Sequence, residues 1–364
     1  MMLVMTARSR SPPGPAKPAK PHMGLLSRRD CRGWRRGLGV APRPAGCHGE
    51  MPDPGCRRCG DRARAGGKSW LPVPALATAG AVACGQSGRV GWSGWMIGGP
   101  VDLEGGFNRM RPCRHGLMVY NRNDRYVGRS LDLYGEYAEY EVALFRSVVR
   151  PGDVVVEVGA NIGAQTLPLA RMVGPSGTVI AFEPQEMLFN LLSANLALNG
   201  MTNVRTRRMA VGSEAGAIRV PTLDPNCSNN FGALGLGGWE YGELVPLVTL
   251  DSLDLPSCRL LKADVEGMEE AVLRGAGGLI ARHRPVLYVE NDRRDHSPAL
   301  IGLIRSMGYR VWWHTARLFH PGNFAGNPTD QFGGVGAVNL IALPPGSDIH
   351  IPEPEIADDH AWWQ

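Results

Sequence analysis

Long apolar runs are missing from this chain, and so is any framework of paired cysteines. The most apolar stretch of the N-terminal part, Leu71 to Cys84, is short and broken by Pro72 and Pro74. A membrane span needs about 20 consecutive apolar residues, and nothing here supplies them. The stretch also lies too far from the start to act as a signal peptide. Beyond residue 100 the cysteines are Cys113, Cys227 and Cys258, sparse and without pattern. That excludes a disulfide scaffold and fits a reducing, cytoplasmic compartment. Acidic residues are scarce at one end: residues 1–100 hold 16 of the 39 Lys and Arg but 4 of the 34 Asp and Glu. The formal net charge of +5 therefore conceals a basic segment of +12 and an acidic body of −7. The total gives no reason to expect nucleic acid as a partner.

Residues 1–100 also lack a sustained hydrophobic period, being rich in Pro, Gly, Arg and Ala. They read as a disordered extension, or as translation from an upstream start codon with Met96 as a later start; an arginine-rich targeting leader is the minor reading. Cys56-Arg-Arg-Cys59 has zinc-ligand spacing, with Cys47-His48 just upstream, but no second pair completes a site.

What is present is a strand that turns over glycines into a helix. After Pro151-Gly152-Asp153, the run Val154 to Val158 is apolar on both faces, which marks a buried, parallel strand. Gly159 ends it, Gly163 follows, and helical spacing resumes with Leu167 and Ala170. Such a turn lets backbone approach a ligand and presents the unpaired N–H groups of a helix start. The pattern then repeats: a strand over 178–182, a helix over 186–198 and a strand over 204–209, giving a β-α-β-α-β series with right-handed crossovers. Upstream, a short strand at 117–120 and a helix over 138–149 are expected, with Glu141 pointing to polar surroundings or, in its plainest reading, an exposed helix charge.

Glu183, at the end of the second strand, is placed to accept hydrogen bonds from both hydroxyls of a ribose. The glycine pattern here is G-A-N-I-G, lacking the third glycine of a G-x-G-x-x-G dinucleotide fingerprint. Glu157, at the ligand-facing end of the strand, repels phosphate and suits an amino group. An adenosine with a cationic, phosphate-free tail, S-adenosylmethionine, fits better than NAD. Glu157, Gly159, Asn161, Gly163 and Glu183 are the cofactor-binding candidates read from the residues themselves.

Further on, a strand over 259–263 ends in Asp264, and a strand over 286–289 ends in Glu290-Asn291. Ligands bind at the carboxyl ends of strands in open α/β sheets, so Asp264, Glu290 and Asn291 are expected to converge on the reacting group as catalytic residues. They would orient an acceptor hydroxyl, with one carboxylate as general base. Their D…E-N pattern is similar to the metal site of catechol-type methyltransferases, but direct acceptor contact ranks above a metal, and none is assigned. Capping of the next helix is the structural alternative for Glu290 and Asn291. His283 precedes its strand, at the wrong end of the sheet. His296 starts a helix, His314 ends a strand over 309–313, and these two with His320 are the candidates for a base of near-neutral pKa; none is singled out by its neighbours, and an ordinary surface or core role is the preferred reading for each. Residues 212–256 form an insertion with strand-like pieces at 217–223 and 244–250. The loop between them reads as a lid or acceptor pocket in which Asn226, Ser228, Asn229 and Asn230 donate to a polar acceptor or simply form turns.

Three stretches, E-V-G-A-N-I-G at 157–163, A-F-E-P at 181–184 and L-L-K-A-D-V-E-G-M-E-E-A-V-L-R-G-A from Leu260, resemble the FkbM-type S-adenosylmethionine-dependent methyltransferases. Tyr134-Gly135-Glu136, Met209-Ala210-Val211-Gly212, the L-D-S-L around Asp251, the P-V-L-Y-V-E-N around Glu290 and V-N-L-I-A-L-P near the C-terminus extend the resemblance over roughly 115–345. It implies an α/β class I methyltransferase (Rossmann-like) fold: a mainly parallel seven-stranded sheet with helices on both faces and a terminal antiparallel strand. It adds Glu136 to the cofactor-binding set. It implies O-methylation of a hydroxyl on a small molecule, sugar or polyketide-type acceptor; no nucleic-acid or membrane partner is expected, on the charge distribution and the lack of a spanning run. The domain would run over 151–345, after a lead-in at 101–150 and before a polar tail at 346–364. An NAD-dependent oxidoreductase and a non-catalytic cofactor-binding module are the competing readings.

Overall fold

The structure, a computed structural model, describes residues 99–363; the expectations for the basic N-terminal segment and for Cys56-Arg-Arg-Cys59 lie outside the described residues. The described residues begin with a small antiparallel sheet of β1 (Val101–Asp102), β2 (Asn108–Cys113) and β3 (Gly116–Asn121), followed by helices α1 (Val127–Tyr134) and α2 (Glu139–Val148). The alternating core follows as β4 (Val154–Val158), α3 (Thr166–Val173), β5 (Thr178–Phe182), α4 (Glu186–Leu198) and β6 (Val204–Arg207). A side sheet comprises β7 (Ala210–Val211), β8 (Gly216–Val220) and β9 (Glu243–Val248). The second half consists of β10 (Leu260–Ala263), α5 (Glu269–Arg274), α6 (Gly277–His283), β11 (Val286–Glu290), α7 (Ser297–Ser306), β12 (Arg310–Arg317) and β13 (Gly336–Leu343).

Seven strands form the main sheet in the order β12-β13-β11-β10-β4-β5-β6. β13 runs antiparallel to both its neighbours, while β11, β10, β4, β5 and β6 pair in parallel. All five residues of β4 are buried, as a central strand covered on both faces requires. Alternation splits them: Val154, Val156 and Val158 pack into the core beneath α5, α6 and α7, and Val155 into the core beneath α2, α3 and α4. The same alternation turns Glu157 to the α2–α3 side, where Thr166 of α3 meets it. No described helix is long and apolar enough to cross a membrane.

Three local expectations change. The strand expected over 204–209 ends at Arg207, because Ala210–Val211 pairs with β9 in the side sheet instead. Helix α1 was not expected: it has only eight residues and a polar outer face, and it ends at Gly135, whose N–H returns to the Leu131 carbonyl at φ 65°. His314 lies within β12 rather than at its end, because the strand continues to Arg317 against β13. The C-terminal tail folds back on β12: Ile356 N donates to Val311 O, Arg305 pairs with Asp359, and Trp362 meets the edge of Trp313.

The N-terminal sheet is tied to the glycine turn by one buried side chain. Asn195 of α4 accepts from Val119 N (2.7 Å) and donates to Val119 O (3.0 Å) and to Ile162 O (2.8 Å), so its amide stands in for the missing strand partner of β3. Asn199, one helical turn on, repeats the pairing at Leu117. Replacing Asn195 by Ala leaves these buried backbone groups without partners. We expect a loss of about 2–4 kcal/mol in urea unfolding with an unchanged m value; a loss under about 1 kcal/mol would show that the tie is dispensable.

Candidate active site

Parallel register fixes the floor of the site. Glu157 of β4, Lys262 of β10 and Tyr288 of β11 stand side by side on the α2–α3 face of the sheet. Two residues further along their strands, on the same face, come Asp264 and Glu290. Lys262 is 1% exposed, and its Nζ donates to Asp264 Oδ2 at 3.0 Å. Burial alone works against an ammonium, but Asp264, Glu157 and Glu141 outweigh it and hold Lys262 above the ordinary lysine range. Glu157 accepts from Thr166 Oγ1 (2.6 Å) through Oε2, while its Oε1 is buried without a partner. Burial pushes the Glu157 carboxyl up to about 7, against the pull of Lys262.

Glu141 closes this floor from above. It was expected as an exposed helix charge; the structure buries it at 4% exposure and directs it to the sheet. Gln165 Nε2 donates to its Oε2 at 2.6 Å, and Asn339 Nδ2 lies 3.5 Å from Oε1. Burial pushes this carboxyl, too, up to about 7. The signal was in the spacing, since Glu141 lies one turn before buried Phe145 on the inward stripe of α2.

The glycine turn forms one wall. Gly159 sits at φ 85°, and a Cβ there would stand 1.8 Å from the Asp264 carbonyl oxygen, so the ends of β4 and β10 meet only because residue 159 has no side chain. Gly163, also at φ 85°, packs on Leu192. Asn161 adopts φ 52°, which turns its N–H onto Glu183 Oε2 (2.9 Å), and Gln185 N donates to Glu183 Oε1 (2.8 Å). Burial nevertheless raises Glu183 to about 7.

These walls enclose a cavity of about 270 Å³ whose lining includes Glu141, Glu183, Asp264, Glu266, Glu290 and Asp292. Glu290 Oε2 is buried without a partner. Burial, followed by Asp264 and Glu266, drives this carboxyl well above the usual range. A narrow cleft continues from the cavity past Glu183 between Val211, Leu234, Leu236 and Met268. None of the residues lining cavity or cleft is Lys or Arg. The opposite wall is largely apolar, with Tyr126, Val127, Leu318 and Val335. Oxygens of Glu266, Glu290 and Asp292 lie within 4.8 Å of one another, a spacing a cation could use; the Arg293 guanidinium already sits 3.6 Å from Glu266 and 3.8 Å from Asp292.

Of the residues singled out from sequence, Gly159, Asn161, Glu183, Asp264 and Glu290 all line the cavity, and Glu157 and Gly163 lie in its supporting shell. Two lie elsewhere. Asn291 is buried and donates to Ser297 Oγ at 2.8 Å. Consecutive residues of an extended strand face opposite ways, so Asn291 cannot join Glu290 in the cavity. Glu136 is held by Arg114 Nε (2.6 Å), Phe324 N (2.8 Å) and His320 Nδ1 (3.0 Å), where it ties the 320–324 loop to the N-terminal sheet. That contact also occupies His320, while exposed His296 caps α7 and His314 meets the Tyr288 hydroxyl at 2.8 Å. In the lid loop, Asn230 reaches the cavity lining; Asn229 bonds to the backbone of Asn123 and Arg125, Ser228 meets Arg125, and Asn226 turns onto Asp224. Lys262 and Tyr137, at the floor and wall, were not anticipated.

Residues 157–311 match the model of the methyltransferase FkbM domain. The chain is 30% identical over 197 residues to the 31-O-demethyl-FK506 methyltransferase FkbM of Streptomyces tacrolimicus, covering 45% of this chain and 75% of that protein. It is 26% identical over 228 residues to the nocamycin O-methyltransferase of Saccharothrix syringae, covering 50% and 81%. Among solved structures, it is similar to the methyltransferase FkbM of Methylobacillus flagellatus KT, with 18% identity, a TM-score of 0.35 and coverage of 56% of this chain and 50% of that one.

The floor predicts its own pH dependence. Lys262→Met leaves Glu141, Glu157 and Asp264 facing one another without a cation. At pH 8 we expect a destabilisation of about 3–5 kcal/mol in urea unfolding. Glu141 and Glu157 are already raised to about 7 in the folded protein, so lowering the pH lets the native state take up protons that the unfolded state does not yet bind. The loss should therefore shrink at pH 6. Equal losses at both pH values would contradict this account of the floor.

Proposed function

The chain belongs to the FkbM methyltransferase family, and on that premise we propose that it moves a methyl group from S-adenosylmethionine to a hydroxyl oxygen of a small-molecule, sugar or polyketide-type acceptor. The observation that carries this reading is the cavity at the glycine turn, walled by carboxylates and free of Lys and Arg in its lining. A cationic ligand is favoured there; a pyrophosphate would meet Glu183, Asp264 and Glu290 with no Lys or Arg in the lining to balance its charge. The NAD-dependent alternative has no such support.

The residues present fit the cofactor at each of its chemical parts. Val211, Leu234, Leu236 and Met268 offer an apolar slot for adenine, and Glu183 an acceptor for the ribose hydroxyls. The orphaned Glu290 oxygen and the carboxylates of Glu141 and Asp264 face the region suited to positive charge. When bound, S-adenosylmethionine supplies an electrophilic methyl group on a sulfonium. The protein's part is to hold the acceptor oxygen in line with it: Asp264 and Glu290 orient the hydroxyl, while Tyr126, Val127, Leu318 and Val335 bed an apolar acceptor body. Positioning of this kind supplies most of the rate gain, with proton removal second. Relatives named for 31-O-demethyl-FK506 and nocamycin are in keeping with such an acceptor.

The test is calorimetry of the folded protein with S-adenosylmethionine and S-adenosylhomocysteine, followed by turnover against a panel of macrocyclic and sugar alcohols, with mass spectrometry for a product heavier by CH₂. Glu183→Ala should weaken both ligands about 10–100-fold, as expected for lost hydrogen bonds to a charged group. In the free protein Glu141 and Glu183 titrate at about 7, and only their ionised forms attract a cation. Affinity for the sulfonium should therefore fall relative to its neutral thioether product as the pH drops through about 7. A folded protein that binds neither ligand would overturn the reading, and binding without turnover on any alcohol would remove the acceptor class.

A further inference from the structure

Methylation of a hydroxyl releases a proton inside a cavity whose neighbouring carboxylates are crowded. Glu141 lines the cavity and is fixed there by Gln165 and Asn339. Behind it, Tyr288 of β11 is 1% exposed, and its hydroxyl faces Glu141 on one side and stands 2.8 Å from His314 Nδ1 on the other. His314, on β12, is half-buried, and Glu353 of the C-terminal tail acts on it electrostatically. A buried tyrosine needs one partner for its hydroxyl. Tyr288 has that partner in His314, toward solvent, and the Glu141 carboxyl lies on its cavity side.

Resting on the O-methylation reading above, we infer that Glu141, Tyr288 and His314 form the route by which the acceptor's hydroxyl proton leaves the site. As a lone pair of the acceptor oxygen forms the C–O bond and the S–CH₃ bond breaks with its electrons kept by sulfur, the hydroxyl proton passes to the Glu141 carboxylate. Glu141 then gives a proton to the Tyr288 oxygen while the Tyr288 proton moves to His314 Nδ1. The imidazolium loses a proton to water from Nε2, and the ring regains its starting tautomer by exchange with solvent. One proton leaves per methyl transferred, and every group returns to its initial state.

The surroundings fit these roles. Glu141 is faced by Lys262 and Asp264 from β10, Tyr288 from β11, Gln165 from the glycine turn, Asn339 from β13 and Tyr137 from the segment before α2. It titrates near 7, the range in which a base both accepts and returns a proton at working pH. Burial lowers His314 below the ordinary histidine range, partly offset by Glu353, so the resting ring is neutral and its Nδ1 can accept. Asp264, held by Lys262, is left to position the acceptor.

On an alcohol that turns over in the panel above, Tyr288→Phe and His314→Gln should each lower kcat about tenfold without changing KM or the affinity for S-adenosylmethionine. Glu141→Gln should lower kcat on the order of a hundredfold. Added imidazole should restore activity to His314→Gly, a rescue that a packing role would not give. Full kcat in Tyr288→Phe overturns the route. A readout independent of any acceptor is ¹⁵N-histidine NMR of the full chain. The titration of Glu141 near 7 should appear as a second inflection in the His314 ring shifts and be lost in Glu141→Gln, and Tyr288→Phe should abolish the sensitivity of His314 to added S-adenosylmethionine. An unchanged His314 titration in both variants sinks the proposal even if methylation is confirmed. Absent turnover with His314 coupled to Glu141 would instead fault the acceptor reading and leave the coupling standing.

Discussion

The buried ammonium of Lys262 is the interaction on which the site depends. Three carboxylates, Glu141, Glu157 and Asp264, converge on it from two strands and a helix, and it is 1% exposed. Burial raises Glu141 and Glu157 to about 7 against the pull of this one cation, which is shared among three carboxylates. The cavity above is thus short of positive charge by construction. A cationic ligand completes the pairing that the protein leaves undone, and the orphaned oxygens of Glu157 and Glu290 mark where it is undone.

Fold and site are built by the same contacts. The Asp264 carbonyl lies where a Cβ on residue 159 would stand, so the glycine that opens the turn also lets β4 and β10 close on each other. The approach sets Asp264 beside the turn and Lys262 beside Glu157 by register. Asn195 then links the turn to the N-terminal sheet through Ile162, so that the lead-in segment carrying Tyr126 and Tyr137 is seated against the cavity.

Much of this was legible in the sequence because the signals were local. Strand 178–182 and helix 186–198 fall where spacing put them, since a short buried run bounded by turn residues and a long apolar stripe admit few other solutions. The glycine turn and Glu183 were legible for the same reason. What escaped depended on partners distant in sequence or on direction. Ala210–Val211 leaves the main sheet because β9, more than thirty residues on, offers it a parallel edge. Lys262 and Glu141 are charged types that composition assigns to the surface, although their positions in a buried strand and on an inward helical stripe pointed the other way. Glu136 and Asn291 belong to motifs, but a motif does not state which way a side chain turns; strand alternation, applied to Glu290-Asn291, would have separated that pair.

The same alternation accounts for how an apolar core accommodates a polar path. On the α2–α3 face, Tyr288 sits level with Lys262 and Ile341, and the next level toward the rim holds Glu290, Asn339 and His314. Because β13 runs antiparallel between β11 and β12, it brings Asn339 between Glu290 and His314 in a single row. A parallel strand in that place would need a crossover connection instead of the loop that joins β12 to β13. The reversed strand extends the polar row from the cavity to the edge of the sheet, while Phe145, Ile341 and Trp312 pack around Tyr288 one level below. With its ring packed against Phe145, a buried tyrosine can thus pass its hydroxyl up to His314 in the polar row without breaking the core that holds it.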